Sequence, residues 1–565
     1  MNVDKATLSK ILTGDEILEV PFYQRGYVWR EDQWSRLLED MEYLTISGRS
    51  YFIGSIILKQ RPTSIGQLHK RTIIDGQQRL TTLSLFFKVL ALKHKTMGKF
   101  DRRFRLEDEE LAIKHSYRDS DAFRRALDTV TAEELEGSDN ITKCFNYFIR
   151  NLDPEKLDFD EILKNLLFVA INLDYEEDEQ QIFDTINSLG VKLTTAELLK
   201  NHFFKDNDIE SYKFYWEEVF EKDKESVQYW EQEITTGRLK RTIADLFFYA
   251  FLQIKVQDRA LAIDTKDKLL YAKVERLFES YKHFTKRIET KKFLGEMKHY
   301  AILFRSTFDP GSVNQPIEAD NSISRINNVI FGLDSSVLIP YVLFVAGKTK
   351  DDSQALSRIL KAVETYMVRR IIVRANTKQY NNFFTESLIL NDIHTAEGFR
   401  DFLQTRGDKL LYMPNDEQLL DGFNNSHLTN GYARGILYLL ESEMRDYRRH
   451  SNNLLALKKY SLEHLMPKKW ENKWGEVADQ EAKDYRNHKL LTLGNLALIT
   501  QTLNTTINDS DWQTKLDGRG NHKGLRAYAS GLETSDYLSC KTWDETAIQD
   551  RALALYDHAV LTWKL

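Results

Sequence analysis

The stretch RTIIDGQQRLTTLSLFFKVLAL (residues 71–92) passes from a short apolar run through Asp75 and Gly76 into a longer apolar segment. Residues 71–74 predict a buried strand, because they are mostly β-branched and end at a turn-forming Asp-Gly pair. Residues 80–92 predict a helix, because their apolar side chains recur at helical spacing. A strand that leads directly into a helix is typical of α/β domains, and we predict such a domain at the start of the chain.

The other predicted elements follow from the same two periodicities. Residues 100–165 and 206–415 are almost wholly helical in pattern, without a repeat period that would indicate a solenoid. Thr194 and Glu197 have capping-box spacing, which predicts a helix that runs through residue 200. Stretches rich in β-branched and aromatic residues predict three further strands, at residues 16–20, 51–59 and 166–173.

These patterns predict a mainly α protein of three domains. Residues 1–205 form a small α/β domain, residues 206–415 a helical connecting region, and residues 416–565 a domain of short strands with clustered His and Asn. A chain of 565 residues is too long for one hydrophobic core. Its 42% hydrophobic and 29% charged residues indicate a folded protein.

Charge and cysteine usage narrow the classes of function. The net charge is −6, from 79 basic and 85 acidic residues, so any nucleic-acid contact must come from local basic patches. Two distant cysteines exclude a disulfide framework and a four-cysteine zinc site, which indicates a reducing compartment. The first residues lack the apolar core of a signal peptide, and no apolar run is long enough to span a bilayer. We therefore expect a cytoplasmic protein with no membrane partner.

The strongest chemical signal lies in the third domain, in the segments SLEHLMP (residues 461–467) and LGNL (residues 493–496), followed by Asn504 and Asn508. The pattern is typical of metal-assisted phosphodiester cleavage, in which a neutral histidine deprotonates water and a cation stabilises negative charge. Oxygen ligands from Glu and Asn suit Mg²⁺ or Mn²⁺ better than zinc. The alternative is that the Glu-His pair caps a helix and that the asparagines occupy turns.

These segments resemble an HNH nuclease of the ββα-metal fold. The resemblance implies that His464 is the general base, that Asn495 orients it, and that Glu463 and Asn504 are the metal ligands. Asn508 and Lys515 continue the pattern without an assigned role, and we interpret His488 as a structural histidine.

Two motifs stand out in the first domain: PFYQRGYVW (residues 21–29), called here the first motif, and DGQQRLTT (residues 75–82), called the second motif. The second motif lies where a strand gives way to a helix, whose unpaired N–H groups attract anions. Gly76 allows a close backbone approach, and Arg79 can form paired bonds to phosphate oxygens. Asp75 is expected to hold a metal or to orient Arg25, and Gln77 and Gln78 offer neutral donors and acceptors.

The two motifs together resemble the ParB/sulfiredoxin-like domain of GmrSD-type restriction systems, where they form a nucleoside triphosphate site. The segments FDTINSLG (residues 183–190) and YMVRR (residues 366–370) also match that family, so the resemblance covers most of the chain. Asn187 and Lys200 are predicted to border the same pocket. The implied nucleotide-binding residues are Gln24, Arg25, Asp75, Gly76, Gln77, Gln78 and Arg79.

Two further groups have alternative interpretations. The aromatic group Tyr23, Tyr27, Trp29 and Trp34 either stacks on a base or belongs to the core, and the core is favoured. The pair Arg369 and Arg370 forms either a phosphate patch or a solvated or ion-paired helix face, and the second is the commoner case.

The resemblance implies a metal-dependent DNA endonuclease of prokaryotic phage defence that is regulated by a nucleoside triphosphate and by DNA modification. The implied partners are modified phage or host DNA, the nucleotide, and a second copy in a homodimer. The sequence does not choose between GTP, ATP and UTP, or between nicking and double-strand cutting. Three other hypotheses stay open: a nucleotide-dependent DNA-binding regulator with a degenerate nuclease, an RNA-directed HNH nuclease or toxin, and a non-enzymatic scaffold.

Overall fold

The structure, a computed structural model, describes every residue of the chain except 1, 14, 64–67, 108, 116, 178–193, 205–207, 238, 318–320, 446–453, 472, 508 and 530. The chain divides into two compact units, Met1–Trp216 and Glu217–Leu565. Helices predominate in the described part, which confirms the mainly α prediction with a small α/β region at the start. The two-way division does not resolve the three predicted domains, whose boundaries stay predictions. No helix in the described ranges is both long and apolar enough to cross a lipid bilayer.

A six-stranded mixed sheet lies in the first unit. Its strands are β1 (Asn2–Thr7), β2 (Glu16–Val20), β3 (Tyr51–Gln60), β4 (His69–Asp75), β5 (Ile113–His115) and β6 (Leu166–Leu173). The strand order is β1-β6-β3-β4-β2-β5. Strand β2 is parallel to β4 and β5, and β3 is parallel to β6, whereas the pairs β3–β4 and β1–β6 are antiparallel.

Strands β2, β3, β4 and β6 confirm the four predicted strands within a residue or two at each end. Strands β1 and β5 are additions to the prediction. Strand β1 is exposed over most of its length and therefore lacks an apolar signal, and β5 has only three residues. Both lie at the edges of the sheet, where a strand needs little apolar character.

The first unit also contains nine described helices: α1 (Leu8–Ile11), α2 (Glu31–Ser47), α3 (Gln77–His94), α4 (Met97–Phe104), α5 (Ser120–Asp128), α6 (Asn140–Asn151), α7 (Phe159–Asn165), α8 (Thr195–Phe203) and α9 (Ile209–Tyr212). Helix α8 confirms the predicted capping box, because Glu197 accepts from the Thr194 N–H at 2.8 Å and Thr194 Oγ1 accepts from the Glu197 N–H.

Helix α3 is the core of the first unit. Its residues 80–92 are all buried, and it packs against α4, α5 and α6. A helix that is covered on every side has a mainly apolar circumference, and the polar side chains of this segment, Thr81, Thr82, Ser84 and Lys88, are buried with the rest. Because α3 begins directly after Gly76, the second motif lies at the junction between the sheet and this buried helix.

The second unit is helical, with three small two-stranded sheets among its described residues. Its strands are β7 (Glu233–Thr236), β8 (Leu239–Thr242), β9 (Tyr460–His464), β10 (Leu496–Thr500), β11 (Gly518–Arg519) and β12 (His522–Lys523). The hairpin of β7 and β8 interrupts the region that the sequence pattern predicts as helical. Its helices are α10 (Lys224–Glu231), α11 (Ile243–Val256), α12 (Thr265–Tyr271), α13 (Leu277–Phe284), α14 (Thr290–Thr307), α15 (Ser322–Asn327), α16 (Ile339–Lys348), α17 (Ser353–Ile372), α18 (Tyr380–Asn382), α19 (Leu388–Leu390), α20 (Ala396–Arg406), α21 (Asp416–Asn425), α22 (Asn430–Met444), α23 (Gln480–Lys489), α24 (Gln501–Ile507), α25 (Trp512–Asp517), α26 (Leu525–Tyr528) and α27 (Glu545–Thr562).

Arg369 and Arg370 form neither a phosphate patch nor a solvated face, but Arg369 is ion-paired, with its Nη2 2.7 Å from Asp416 Oδ1. Their exposed fractions are 0% and 1%. Arg369 donates to the carbonyls of Trp563 at 2.7 Å and Pro414 at 3.0 Å, and Arg370 donates to the carbonyl of Tyr412 at 2.7 Å. The two arginines therefore join helix α17 to the loop before α21 and to the chain after α27.

A ββα unit lies in the C-terminal part of the second unit. Strands β9 and β10 are antiparallel, and helix α24 starts directly after β10. Gly494 precedes β10 and packs against helix α27, where a Cβ atom at position 494 would lie 2.1 Å from the carbonyl oxygen of Ile548. Only glycine fits this contact without a shift of the helix backbone.

We expect Gly494→Ala to lower the free energy of unfolding by about 1–3 kcal/mol, because the added methyl group overpacks a backbone contact. Thermal unfolding of the purified full chain measures the effect. Gly431→Ala is the matched control, because Gly431 lies in helix α22 with open space around its Cα. An equal melting temperature for Gly494→Ala and the parent would contradict the close packing of β10 on α27.

Candidate functional site

Side chains of the second motif hold the backbone of the first motif. Gln78 Oε1 accepts from the Val28 N–H at 2.9 Å, and its Nε2 donates to the Gly26 carbonyl at 3.0 Å. Gln77 Nε2 donates to the Arg25 carbonyl at 3.1 Å. The two motifs, about fifty residues apart in sequence, thus form one site at the start of α3. Both ends of the Gln78 amide are used within the protein, so Gln78 positions the first motif.

Two glutamine oxygens at this site are buried and lack a hydrogen-bond partner in the described part of the chain. They are Oε1 of Gln24 and Oε1 of Gln77. The Nε2 atom of Gln24 donates to the Ile73 carbonyl at 2.7 Å, which fixes the orientation of its amide. A buried acceptor without a donor costs free energy, so a bound group that supplies N–H or O–H donors would be stabilised here.

The start of helix α3 has the features of an anion site. Gly76 occupies the N-cap position with φ +98°, and no side chain from the described residues caps the helix. Arg79 Nη2 pairs with Asp75 Oδ2 at 3.0 Å. A Cβ atom at Gly54 would lie 2.0 Å from Arg79 Nη1, so the guanidinium group crosses β3 where the side chain is absent. The free N–H groups of the helix start and the guanidinium together favour a bound anion.

The carboxylate of Asp75 pairs with Arg79 one helical turn later. No hydrogen bond or ion pair joins Asp75 to Arg25 in the described part of the chain, and a metal held by Asp75 stays a prediction. The side chain of Arg25 is exposed. Because Gln77 donates to the Arg25 carbonyl, Arg25 lies next to the start of α3. Lys200 is buried within α8, and Asn187 lies outside the described residues.

The aromatic group of the first motif belongs mainly to the core. Tyr23, Tyr27 and Trp34 are buried, whereas Trp29 is half-buried. The Tyr27 hydroxyl lies 2.6 Å from Thr82 Oγ1 and accepts from Trp34 Nε1 at 2.9 Å. This agrees with the favoured interpretation of these residues as core.

In the second unit, the Glu-His pair lies in strand β9, which excludes the alternative that it caps a helix. His464 ends the strand and lies opposite Leu496 of β10. Its side chain is half-buried, and burial, together with the nearby charges of Lys468 and Lys515, lowers the pKa of His464 to about 4. The imidazole is therefore neutral at neutral pH and able to accept a proton.

Glu463 and Lys515 form a buried ion pair beside His464. Lys515 Nζ donates to Glu463 Oε1 and, at 2.8 Å, to the backbone carbonyl of His464. Burial raises the pKa of the Glu463 carboxyl, and the opposite charge of Lys515 counteracts that shift. The ammonium group thus connects helix α25 to the last two residues of β9.

Asn495 is completely buried and holds the backbone that follows His464. Its Oδ1 accepts from the Met466 N–H at 2.8 Å and from Trp543 Nε1 at 3.0 Å. Its Nδ2 donates to the carbonyls of Met466 at 2.8 Å and Leu490 at 3.0 Å. These bonds run to the backbone and to Trp543, so any orientation of His464 by Asn495 acts through the fold of residues 465–466.

Asn504 joins helix α24 to strand β9. Its Nδ2 donates to Ser461 Oγ at 2.8 Å and weakly to the Leu462 carbonyl. Among the described residues, no hydrogen bond reaches its Oδ1, which leaves one amide oxygen beside the strand of Glu463. Asn508, the next residue of the pattern, lies outside the described residues.

The donor set fits a hard divalent cation. A carboxylate and an amide oxygen, completed by water and a substrate phosphate, are the ligands that Mg²⁺ takes in many enzymes. Within the described ranges, no group of three or more His, Cys, Asp or Glu side chains is arranged to hold a metal.

Sequence reasoning missed several residues of this site. Burial raises the pKa of Glu463 and lowers the pKa of Lys515, and the charge of Asp509 adds to the first shift and opposes the second, so this carboxylate lies near the buried pair. Arg551 Nη1 donates to the carbonyls of Gly494 and Leu496, both at 2.8 Å, and holds the start of β10. Asp509 had a usable signal in the sequence, because it is an acidic residue five positions after Asn504. Arg551 had none, because it lies in a helix more than fifty residues after Gly494 and Leu496.

His488, which we interpret as a structural histidine, packs against a second histidine. Its ring packs against His427 with centroids 4.4 Å apart, and its backbone carbonyl lies 3.1 Å from His427 Nε2.

We expect Lys515→Met to destabilise the chain by about 3–5 kcal/mol, because it leaves the charge of Glu463 buried without a partner. The double variant Glu463→Gln, Lys515→Met removes both charges and should recover part of the loss. Thermal unfolding of both variants and of Glu463→Gln alone measures the coupling. A double variant whose destabilisation equals the sum of the two single variants would show that the pair is not coupled.

Two family descriptions match the chain. Residues 8–204 match the GmrSD restriction endonuclease N-terminal domain, and residues 413–557 match the GmrSD restriction endonuclease C-terminal domain. No curated protein matches the chain at a significant level. The first match contains the joined glutamine and arginine site, and the second contains the ββα unit with His464. The chain therefore belongs to the GmrSD restriction endonucleases, whose substrate is DNA.

Proposed function

We propose that the chain is an HNH-type DNA endonuclease dependent on Mg²⁺ or Mn²⁺, whose activity is governed by a nucleoside triphosphate bound in the first unit. The observation that carries the nuclease proposal is the ββα unit in which a neutral His464 adjoins the buried Glu463 on β9 and Asn504 of helix α24 bonds to the same strand through Ser461. Metal dependence, the HNH assignment and nucleotide control are parts of this proposal.

The proposed chemistry assigns one task to each side chain. His464, neutral at neutral pH, accepts a proton from the water that attacks the phosphodiester bond. Lys515 holds the carboxylate of Glu463 and the carbonyl of His464 in fixed positions. Glu463 and Asn504 would hold the divalent cation, and such a cation, when bound, stabilises negative charge on the phosphate and on the leaving oxygen.

We expect His464→Ala to lower the cleavage rate by about 10²- to 10⁴-fold and to leave DNA binding intact, because a general base contributes on this order. The assay follows double-stranded DNA, single-stranded DNA and RNA with Mg²⁺, with Mn²⁺ and with chelator. His488→Ala is the matched control, because it removes a histidine of the same unit that we interpret as structural.

Full cleavage by His464→Ala would disprove the assignment of the base. Cutting of RNA in preference to DNA would favour the RNA-directed nuclease. A parent protein that binds DNA without cutting any substrate would favour the regulator with a degenerate nuclease.

The nucleotide proposal is supported by the anion-binding features at the start of α3. The uncapped helix start and Arg79 offer positive potential to a triphosphate, and Arg25 is exposed beside them. The buried oxygens of Gln24 and Gln77 offer acceptors for the N–H and O–H groups of a base or ribose. Asp75, bonded to Arg79, keeps the guanidinium in place.

We expect Arg79→Ala and Asp75→Ala to abolish nucleotide binding, measured with fluorescent analogues of GTP, ATP and UTP, and to remove any effect of nucleotide on DNA cleavage. Arg49→Ala is the matched control, because Arg49 is an exposed arginine of the same unit outside both motifs. Unchanged binding in both site variants would place the nucleotide pocket elsewhere.

We further propose that the first unit senses DNA modification. The test compares cleavage of unmodified, glucosylated-hydroxymethylcytosine and phosphorothioate DNA, with and without each nucleotide. Selective cutting of one substrate supports modification dependence, whereas equal cutting of all three contradicts it.

A further inference from the structure

A short hairpin follows the helix that carries Lys515. Strands β11 and β12 are antiparallel, with Gly518 opposite Lys523 and Arg519 opposite His522. A two-residue turn at positions 520 and 521 joins them, and Gly520 has φ +61°. A positive φ at the first central position is what a type II′ hairpin turn requires. Residues 518–523 are called the basic hairpin below.

The base of the basic hairpin is closed by direct backbone contact. A Cβ atom at Gly518 would lie 1.9 Å from the carbonyl oxygen of His522, and one at Gly524 would lie 2.5 Å from the carbonyl oxygen of Leu516. No side chain fits at either position without displacing the backbone. The hairpin is therefore attached to the end of helix α25 in a defined orientation.

The side chains of the basic hairpin are directed to solvent. Residues 519–523 are all exposed, whereas Leu516 and Leu525, on either side, are buried. Arg519 and Lys523 form no ion pair with any described residue, in contrast to Arg526, which pairs with Asp517 at the hairpin base. In a chain with net charge −6, two unpaired cations on a rigid projection form a local positive site for an anionic partner.

The basic hairpin begins close to the candidate nuclease site. Lys515 bonds to Glu463 and to the His464 carbonyl, and the hairpin starts three residues later. Three residues of chain span at most about 10 Å. A DNA segment bound at His464 can therefore also contact the basic hairpin.

The two cations lie on opposite faces of the basic hairpin. Successive side chains of a strand point to opposite faces, and directly opposed residues share a face. Arg519 therefore shares one face with His522, and Lys523 lies on the other, opposite Gly518. The major groove of B-DNA admits a two-stranded ribbon, and long cationic side chains on such a ribbon can reach the phosphates that border the groove.

We propose that the basic hairpin enters a groove of duplex DNA beside the bond that is cut, with Arg519 and Lys523 contacting the phosphate backbones on its two sides. This inference rests on the proposed function, because it places DNA at His464. The hairpin adds affinity and position without touching the reacting atoms.

The test measures binding of a fluorescent DNA duplex over a range of salt concentrations, without divalent metal, in a His464→Ala background. Arg519→Gln with Lys523→Gln is compared with Lys291→Gln with Lys292→Gln, which removes two exposed lysines of helix α14 and the same net charge. We expect the hairpin variant to lower the slope of log Kd against log salt by about 2, and the control variant to leave it unchanged. With His464 restored, the hairpin variant should still cut DNA at saturating concentration.

An unchanged slope and unchanged affinity in the hairpin variant would overturn the proposal, while DNA cutting by the parent would leave the proposed function standing. A parent that neither binds nor cuts DNA would overturn both. Weaker binding of duplex RNA alone, with DNA binding unaffected, would overturn the assignment of DNA as the partner.

Discussion

Buried guanidinium groups bonded to backbone carbonyls hold the irregular segments of the second unit in place. A guanidinium group carries five N–H donors and keeps its charge. When it is buried, those donors therefore need hydrogen-bond acceptors from the protein. Arg551 binds the carbonyls of Gly494 and Leu496, and Arg369 binds those of Pro414 and Trp563. Carbonyls outside helices and sheets would otherwise be buried without donors, so one side chain satisfies several groups and fixes the path of the chain between them.

The candidate nuclease site also depends on buried polar side chains that bind the backbone. Lys515 binds the backbone carbonyl of His464 as well as Glu463, and Asn495 holds the residues that follow. Arg551 in turn holds the chain around Asn495. The backbone of the histidine is thereby fixed from both sides, while its ring stays half-buried and neutral. A base that is fixed and uncharged needs little reorganisation when it accepts a proton.

The first unit forms its candidate site with amides in place of buried charges. Gln77 and Gln78 hold the first motif through neutral hydrogen bonds. The charged groups Arg25 and Arg79 are thus left at the start of α3, where a bound anion can meet them. The two candidate sites therefore suit ligands of opposite charge. The helix start in the first unit suits an anion, whereas the carboxylate and amide oxygens beside His464 suit a cation.

The sequence by itself determined those elements that have a strong apolar pattern or a capping motif, and the order of the motifs. Strands β2, β3, β4 and β6, helix α3 and the capping box of α8 follow from local periodicity and spacing, which report burial directly. The proximity of the two N-terminal motifs and the strand position of His464 were also predictable, because the resemblance supplied their order.

Only the tertiary structure decided which partner each polar side chain takes. A sequence states how many hydrogen bonds Gln78, Asn495 or Arg369 can make, but the packing of segments tens to nearly two hundred residues away chooses the acceptors. For that reason Arg369 is buried, with Asp416 as its ion-pair partner, and Asp75 pairs with Arg79. The basic hairpin has the same origin, since only the fold attaches Arg519 and Lys523 to the helix that reaches Glu463.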